Sequence, residues 1–110
     1  MFTIKNTELY QTCGDTGALA LATLCGIPWL DTYFATFIVK KSVADLSVIL
    51  TKDFEQGVIV FQEADTRHIP PGLYWYEVEI RVPGENGSID QVQTMGPYRY
   101  HLYNRLKEGG

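Results

Sequence analysis

Short stretches of alternating apolar residues, interrupted by turn residues, recur along the whole chain and constrain its fold. The pattern occurs in ALALATL, YFATFIVKKS, LSVIL, GVIVFQE, LYWYEVEIRV, SIDQVQT and YRYHLY. A period of two is typical of strands, because successive side chains of a strand point to opposite faces of a sheet. No long stretch has the three-four spacing of a capped amphipathic helix. About seven or eight short strands with frequent turn signals predict an all-β fold, an antiparallel, immunoglobulin-like β-sandwich, with a small barrel as the alternative.

The segments between these stretches predict the connections. TKDFEQ, between LSVIL and GVIVFQE, is polar and predicts a hairpin connector, and MGP predicts the turn of a second hairpin between SIDQVQT and YRYHLY. The longest strand, LYWYEVEIRV, is preceded by DTRHIPPG, in which the prolines and Gly72 are typical of turns. The apolar faces of these strands predict a core of Leu19, Leu21, Phe37, Val39, Ile59, Phe61, Tyr74, Tyr76, Val78, Ile80, Tyr98, Tyr100 and Leu102.

Length and charge limit the class of protein. The 110 residues predict a single domain, 1–110, with a frayed tail over 105–110. The formal net charge of -4 argues against a nucleic-acid-binding surface, which usually carries a basic excess on one face. No apolar run approaches the roughly 18 residues of a membrane-spanning helix. The start of the chain also lacks the pattern of a secretory signal, so we expect synthesis in the cytoplasm.

The longest predicted strand carries two carboxylates that invite a catalytic interpretation. Glu77 and Glu79 lie two positions apart on the face opposite the core, so their carboxyl groups can lie roughly 6 to 7 Å apart, the separation of the paired acid and base in some glycosidases. Charged residues also keep the outer face of an antiparallel strand soluble, and Arg81 on the same face supplies a counter-charge. The second interpretation is favoured by its frequency, and the sequence therefore predicts no catalytic residue.

Metal, cofactor and thiol chemistry are equally unsupported by spacing. His68 and His101 are the two histidines, and neither has metal-ligand spacing to a cysteine or to the other. Cys13 and Cys25 are predicted to be thiols at opposite ends of one strand, too far apart for a disulfide, and Cys13 has no general base near it in the sequence. We therefore expect no bound metal and no cofactor.

Aromatic residues outside the predicted core are the remaining candidates for function. Trp29, Tyr33, Phe34 and Trp75 form the candidate interface, with Tyr103 a further outward ring. Such rings can be buried against a neighbouring subunit, they can pack in the core or at the rim of the sandwich, or they can stack on sugar rings. Contact between subunits is the favoured interpretation. A carbohydrate-binding β-sandwich module that uses Trp75 and neighbouring tyrosines is the alternative.

The order of several motifs resembles a known family. CGDTGALAL, TFIVKKSVAD, EADTRHIPPGLYWYEVEI and VQTMGPYRYHL, in this order, are similar to the amino-terminal domain of phage baseplate upper proteins and to related small phage tail and neck proteins. The resemblance extends from about Phe2 to Leu102. The residues that carry it are Gly14, Asp15, Thr16, Val39, Lys40, Lys41, Ser42, Asp65, Thr66, Pro71, Gly72, Tyr74 and Tyr76.

The resemblance implies a structural role in a virus particle. It predicts a non-enzymatic phage or prophage virion protein, a tail, baseplate or neck component, synthesised in the bacterial cytoplasm and located in the virion. Its expected partners are further copies of itself and other virion proteins. A ring or a trimer is favoured over a dimer, because phage tail and neck parts are usually built around a three-fold or six-fold axis.

Overall fold

The fold was determined as a computed structural model, which describes residues 2–21, 23, 34–44, 47–83 and 89–104. The described chain is mostly β, which confirms the predicted fold class, and it contains eight strands and a short helix, α1, at Glu63–Thr66. No helix in these ranges is long and apolar enough to cross a membrane. The strands are β1 Phe2–Lys5, β2 Glu8–Thr12, β3 Gly17–Ala20, β4 Phe34–Lys40, β5 Val48–Asp53, β6 Val58–Phe61, β7 Gly72–Pro83 and β8 Ile89–Tyr103.

Six strands form one sheet in the order β1-β2-β8-β7-β4-β5. All neighbours in this sheet are antiparallel except β2 and β8, which are parallel, with Leu9 beside Tyr100 and Thr12 beside Tyr103. The prediction of a wholly antiparallel sandwich is wrong for this pair. The parallel direction is possible because most of the chain lies between β2 and β8 and provides the crossover that parallel neighbours need. An immunoglobulin-like topology is not confirmed.

The second sheet contains β3 and β6 and contributes to the same core as the large sheet. The ring of Phe61 in β6 contacts Phe37 of β4 edge-on, with 5.4 Å between ring centres. The centre of the Phe2 ring, in β1, lies 5.2 Å from the centre of the Phe61 ring. Gly17 of β3 permits this approach, because a Cβ atom there would lie 2.3 Å from the Phe2 ring. The packing of one sheet on the other is consistent with the predicted sandwich.

The predicted core is confirmed at nearly every position. Tyr98 alone differs, because it is half-buried and packs against the core from its rim. The alternation along β7 is also confirmed, with Tyr74, Tyr76, Val78 and Ile80 buried between more exposed neighbours. The sequence analysis missed five buried residues, which are Leu9, Gln11, Ala35, Phe54 and Thr66.

Two predicted connections are wrong. β8 runs without a turn through MGP, because Gly96, at φ +103°, lets the strand bulge and resume its pairing with β7. A Cβ atom at Gly96 would lie 2.8 Å from the Tyr76 carbonyl oxygen, so glycine fits this close approach. The segment TKDFEQ does not join two strands of one hairpin, because β5 and β6 lie in different sheets; Thr51–Asp53 belong to β5, Phe54 is buried, and Gln56 and Gly57, both at positive φ, make the turn.

The first hairpin and the helix were not predicted. β1 and β2 pair through a turn in which Asn6 and Thr7 both have positive φ. In α1 the Asp65 carboxylate accepts a hydrogen bond from the Gln62 N–H at 2.7 Å, which stabilises the helix start. Glu63 was predicted to end the strand GVIVFQE, which is wrong, whereas Asp65 and Thr66 were predicted to belong to the turn DTRHIPPG and instead end this short helix.

Candidate interaction surface

The outer face of the large sheet presents an apolar pair beside a cation. Phe34 of β4 faces Arg81 of β7, and Arg81 in turn faces Val92 of β8, so the three side chains form one row across the sheet. Phe34 is 62% exposed and Val92 is 56% exposed, among the most exposed large apolar side chains of the described residues. Exposed aromatic residues next to arginine are common in protein–protein contacts. We name these three residues the Phe34 row.

Trp75, the second described candidate, lies in a different environment. It is half-buried, and its strand neighbours on the two sides are Lys40 and Arg99. The Arg99 guanidinium carbon lies 5.8 Å from the centre of the Trp75 ring, a cation–π contact that covers part of the ring. Trp75 and Arg81 are six positions apart on β7, about 20 Å at strand rise, so Trp75 does not join the Phe34 row. Trp29 and Tyr33 lie outside the described residues.

The carboxylates of β7 are paired with cations, as the solvated-face interpretation predicts. Glu79 contacts the Arg81 guanidinium at 2.6 Å, and Glu77 lies 4.0 Å from the Lys40 ammonium. Both contacts lie on the outer face rather than in a cleft, and neither carboxylate lines a described cavity. In the described part of the chain, the surroundings of the two carboxylates are therefore those of a charged strand face rather than of a glycosidase cleft.

The same face carries a polar cluster around Glu8 of β2. The Glu8 carboxylate lies 3.0 Å from His101 Nε2 and 3.8 Å from the Arg99 guanidinium. The Tyr10 ring stacks on the His101 imidazole, with 4.5 Å between ring centres and 3° between their planes. These contacts link β2 to β8 across their parallel pairing. They explain His101 as part of a surface network rather than as a metal ligand.

The structure places Cys13 and His68 on one cavity, which the sequence did not suggest. The cavity has a volume of about 360 Å³, and its lining also includes Arg67, Ile69 and Asn104. Cys13 is a thiol, and its Sγ donates a hydrogen bond to the Ile69 carbonyl oxygen at 3.5 Å. A thiol that acts as a donor is stabilised in its neutral form, which is the poorer nucleophile. Among the residues described, no group of three or more histidine, cysteine or carboxylate residues could hold a metal ion.

A more apolar cavity lies next to it, on the other side of the Pro70–Pro71 segment. It has a volume of about 460 Å³, and its lining includes Ile49, Leu73 and Tyr74. Tyr74 is the one ring in this lining, and its hydroxyl donates to the Pro70 carbonyl oxygen at 2.5 Å. A sugar-binding cleft usually presents two or more rings that can stack on the ligand. The lining of this cavity does not match that pattern.

Burial changes the ionisation of three tyrosines in this fold. Removal from water raises the pKa of Tyr76 and Tyr100 well above the usual value, and a smaller effect of the same kind raises the pKa of Tyr74. Their hydroxyls donate to internal acceptors: Tyr76 to the Thr7 carbonyl and Tyr100 to the Gln11 side chain. These tyrosines are therefore neutral structural donors rather than acid–base groups.

Sequence reasoning found Phe34 but missed Val92, its neighbour across Arg81. The signal for Val92 was present in SIDQVQT, where this apolar residue stands between two glutamines, but the strand partners that place it beside Arg81 are visible only in the structure. It also missed the outward Val58 and Val60 of β6, which alternate with the buried Ile59 and Phe61.

Comparison with known proteins found no match for this chain, either among protein-family models or among curated proteins. The function is therefore inferred from the arrangement of its own residues.

Proposed function

We propose that the chain is a non-enzymatic structural protein that acts by self-assembly and protein–protein contacts. The observation that carries this proposal is the exposure of Phe34, a large aromatic side chain that lies on a flat strand face rather than in a ligand cleft. Val92 and Arg81 extend the same surface, and the row provides apolar area with a hydrogen-bond donor in its centre. Burial of such a row against another protein removes apolar surface from water.

The proposal includes a place in a phage or prophage particle, as a tail, baseplate or neck component. The motifs that resemble the phage proteins occupy structural positions in the fold. Gly14–Thr16 lead into β3, Pro71 immediately precedes β7, Gly72 begins it, and Tyr74 and Tyr76 are core residues. These structural positions support the interpretation that the resemblance reflects a shared fold. We propose other virion proteins as further partners. The proposed location is the virion, after synthesis in the bacterial cytoplasm.

A homo-oligomer, with a ring or trimer favoured over a dimer, is the proposed form of the assembly. A ring needs one surface of the chain to fit a different surface of the next copy. The Phe34 row lies at the start of β4, and the apolar cavity with Leu73 and Ile49 lies near the end of this strand, so the two surfaces lie apart on the same chain. A carbohydrate-binding module remains the second candidate from the sequence, but the Arg99 contact on Trp75 does not favour it.

Light scattering coupled to size exclusion, at micromolar concentrations, tests the proposal. We expect the wild type to have the mass of a homo-oligomer and Phe34→Ser to shift it towards the monomer. Glu77→Gln is the matched control, because it changes the same outer face without removing apolar area and its ion-pair partner is Lys40 rather than Arg81, so it should leave the mass unchanged. A wild type that is monomeric and binds a glycan through Trp75 would contradict the proposal and favour the carbohydrate-binding candidate.

A further inference from the structure

β8 is a long strand whose two sides are unequally paired. β7 pairs with it along nearly its whole length, whereas β2 pairs only with its Tyr100–Tyr103 end. Between the two register shifts of the β7–β8 ladder, Gln91–Met95 forms a regular strand, and within the described ranges no strand lies on its other side. Such an edge presents backbone N–H and C=O groups to any strand that can lie beside it.

The other edges in the described part of the chain carry features that discourage strand addition. β1, β3 and β6 have four residues each, and β1 ends at the exposed Lys5. β5 carries Lys52 on its inner side, where the ammonium lies 2.5 Å from the Asp65 carboxylate and 5.8 Å from the centre of the Phe61 ring. Short strands and inward-pointing charged side chains are the usual protections of an edge. Gln91–Met95 contains neither a charged residue nor a proline.

We propose that Gln91–Met95 is a strand-addition site whose occupant is the same segment of a second copy. This inference rests on the proposed self-assembly and names one of its contacts. The other described edges are protected against strand addition. The strand of a second copy that can best add to this segment is therefore the same segment of that copy. The two strands run antiparallel about a two-fold axis at Gln93, the centre of the regular stretch, and this register gives the largest number of pairs.

The chemistry of the segment suits this self-pairing. Gln93 is exposed, and an amide that faces an identical amide across a two-fold axis can both donate and accept a hydrogen bond. Val92, which is also exposed, faces Thr94 of the second copy in this register, and each contact occurs twice. No charged side chain of the segment meets a like charge. The contact is two-fold, so it joins assemblies in pairs and is distinct from a contact that closes a ring.

Charge reversal at the axis provides the test. Gln93→Lys and Gln93→Glu each place two like charges opposite each other across the proposed axis, at an exposed position that the fold of one chain does not require. We expect each variant alone to have half the mass of the wild type in light scattering. An equimolar mixture of the two should regain the wild-type mass, because unlike charges then face each other. Thr51→Lys, which adds the same charge to the exposed side of β5, should leave the mass unchanged.

The possible outcomes separate this inference from the proposed function. Wild-type mass for both Gln93 variants overturns the β8 contact and leaves self-assembly intact. Halved masses that the mixture does not restore overturn the two-fold pairing, and a halved mass for Thr51→Lys overturns the assignment to this edge. A monomeric wild type overturns the proposed self-assembly together with this contact. Halved masses that are restored by mixing, with Thr51→Lys unchanged, support the proposal.

Discussion

Tyr76 joins the centre of the core to the first turn of the chain. Its ring is fully buried and stacks on Phe37 at 5.0 Å between ring centres, and its hydroxyl donates to the Thr7 carbonyl oxygen. We expect Tyr76→Ala to lower the free energy of unfolding by about 3 kcal/mol or more, because it removes a large buried ring. Glu79→Ala should cost no more than about 0.5 kcal/mol, since its ion pair lies on the outer face. Urea denaturation measures both, and equal midpoints would contradict the assignment of the strand faces.

Gly17 lies at a position where the packing of a neighbouring ring leaves no room for a side chain. A Cβ atom there would overlap the Phe2 side chain, with Phe2 atoms at 2.3 to 2.7 Å. We expect Gly17→Ala to lower the free energy of unfolding by about 1 to 3 kcal/mol, because the Phe2 ring must leave its place against Phe61. In a double-mutant cycle, most of this cost should disappear in a Phe2→Gly background. An unchanged cost in that background would contradict the role of Phe2.

The buried polar residues show what alternation alone cannot predict. The Gln11 amide donates to the Asp15 carbonyl at 2.9 Å and accepts from Tyr100, and the Thr66 hydroxyl oxygen accepts from the Gly14 N–H at 2.9 Å. Two of these partners lie far along the sequence, so no local pattern marks either residue as buried. The apolar faces of β4 and β7 were predictable because a strand with one buried face repeats its side chains with period two.

At the scale of elements, α1 is tied to β5 by an ion pair. The Lys52 ammonium contacts the Asp65 carboxylate at 2.5 Å, and both side chains are mostly buried. Burial by itself raises the pKa of Asp65, but the hydrogen bond from the Gln62 N–H and the Lys52 charge outweigh it and hold the pKa below the ordinary value of 3.8. A carboxylate with a lowered pKa in the folded state contributes stability above its unfolded pKa, and this contribution is lost as the pH falls through the folded pKa.

Asp65→Asn is therefore expected to act in a pH-dependent way. At neutral pH the variant should unfold at a lower urea concentration than the wild type, by about 1 kcal/mol in free energy. The difference should shrink as the pH falls below 3.8 and through the lowered pKa of the folded carboxyl group, because the wild-type carboxylate is then protonated. Glu63→Gln is the control from the same helix, because its pair with Arg67 is exposed and should contribute little at either pH. A pH-independent difference for Asp65→Asn would contradict the ion-pair account.

The turn signals of the sequence were reliable for some connections and misleading for others. Pro71 precedes β7 and Gly72 begins it, as the turn signal predicts, whereas Gly96 and Pro97 lie inside β8. The difference arises from pairing: β7 is long enough to hold β8 on both sides of the Gly96 bulge, so the ladder continues where the local residues favour a turn. The length of a partner strand is a property of the whole sheet, and a local motif does not reveal it.

For the whole molecule, the candidate interface was only partly predictable. Phe34 is exposed as expected, but Trp75 is half-buried beneath Arg99, because strand register brings that arginine from β8 to its side. Alternation predicts that an aromatic residue of a strand points outward. Whether another side chain then covers its ring depends on the neighbouring strands. The proposed role of Phe34 in protein–protein contact therefore depends on the order of the strands in the sheet as well as on the sequence.

The parallel pairing of β2 with the end of β8 has a consequence for how the chain is made. Residues 9–12 are synthesised long before residues 100–103, with which they pair. The first hairpin cannot take its place in the sheet until these later residues have also been made. Contacts between residues so distant in sequence slow folding, because the intervening chain must be ordered before the contact forms. We infer that the sheet closes only after residues 100–103 have left the ribosome.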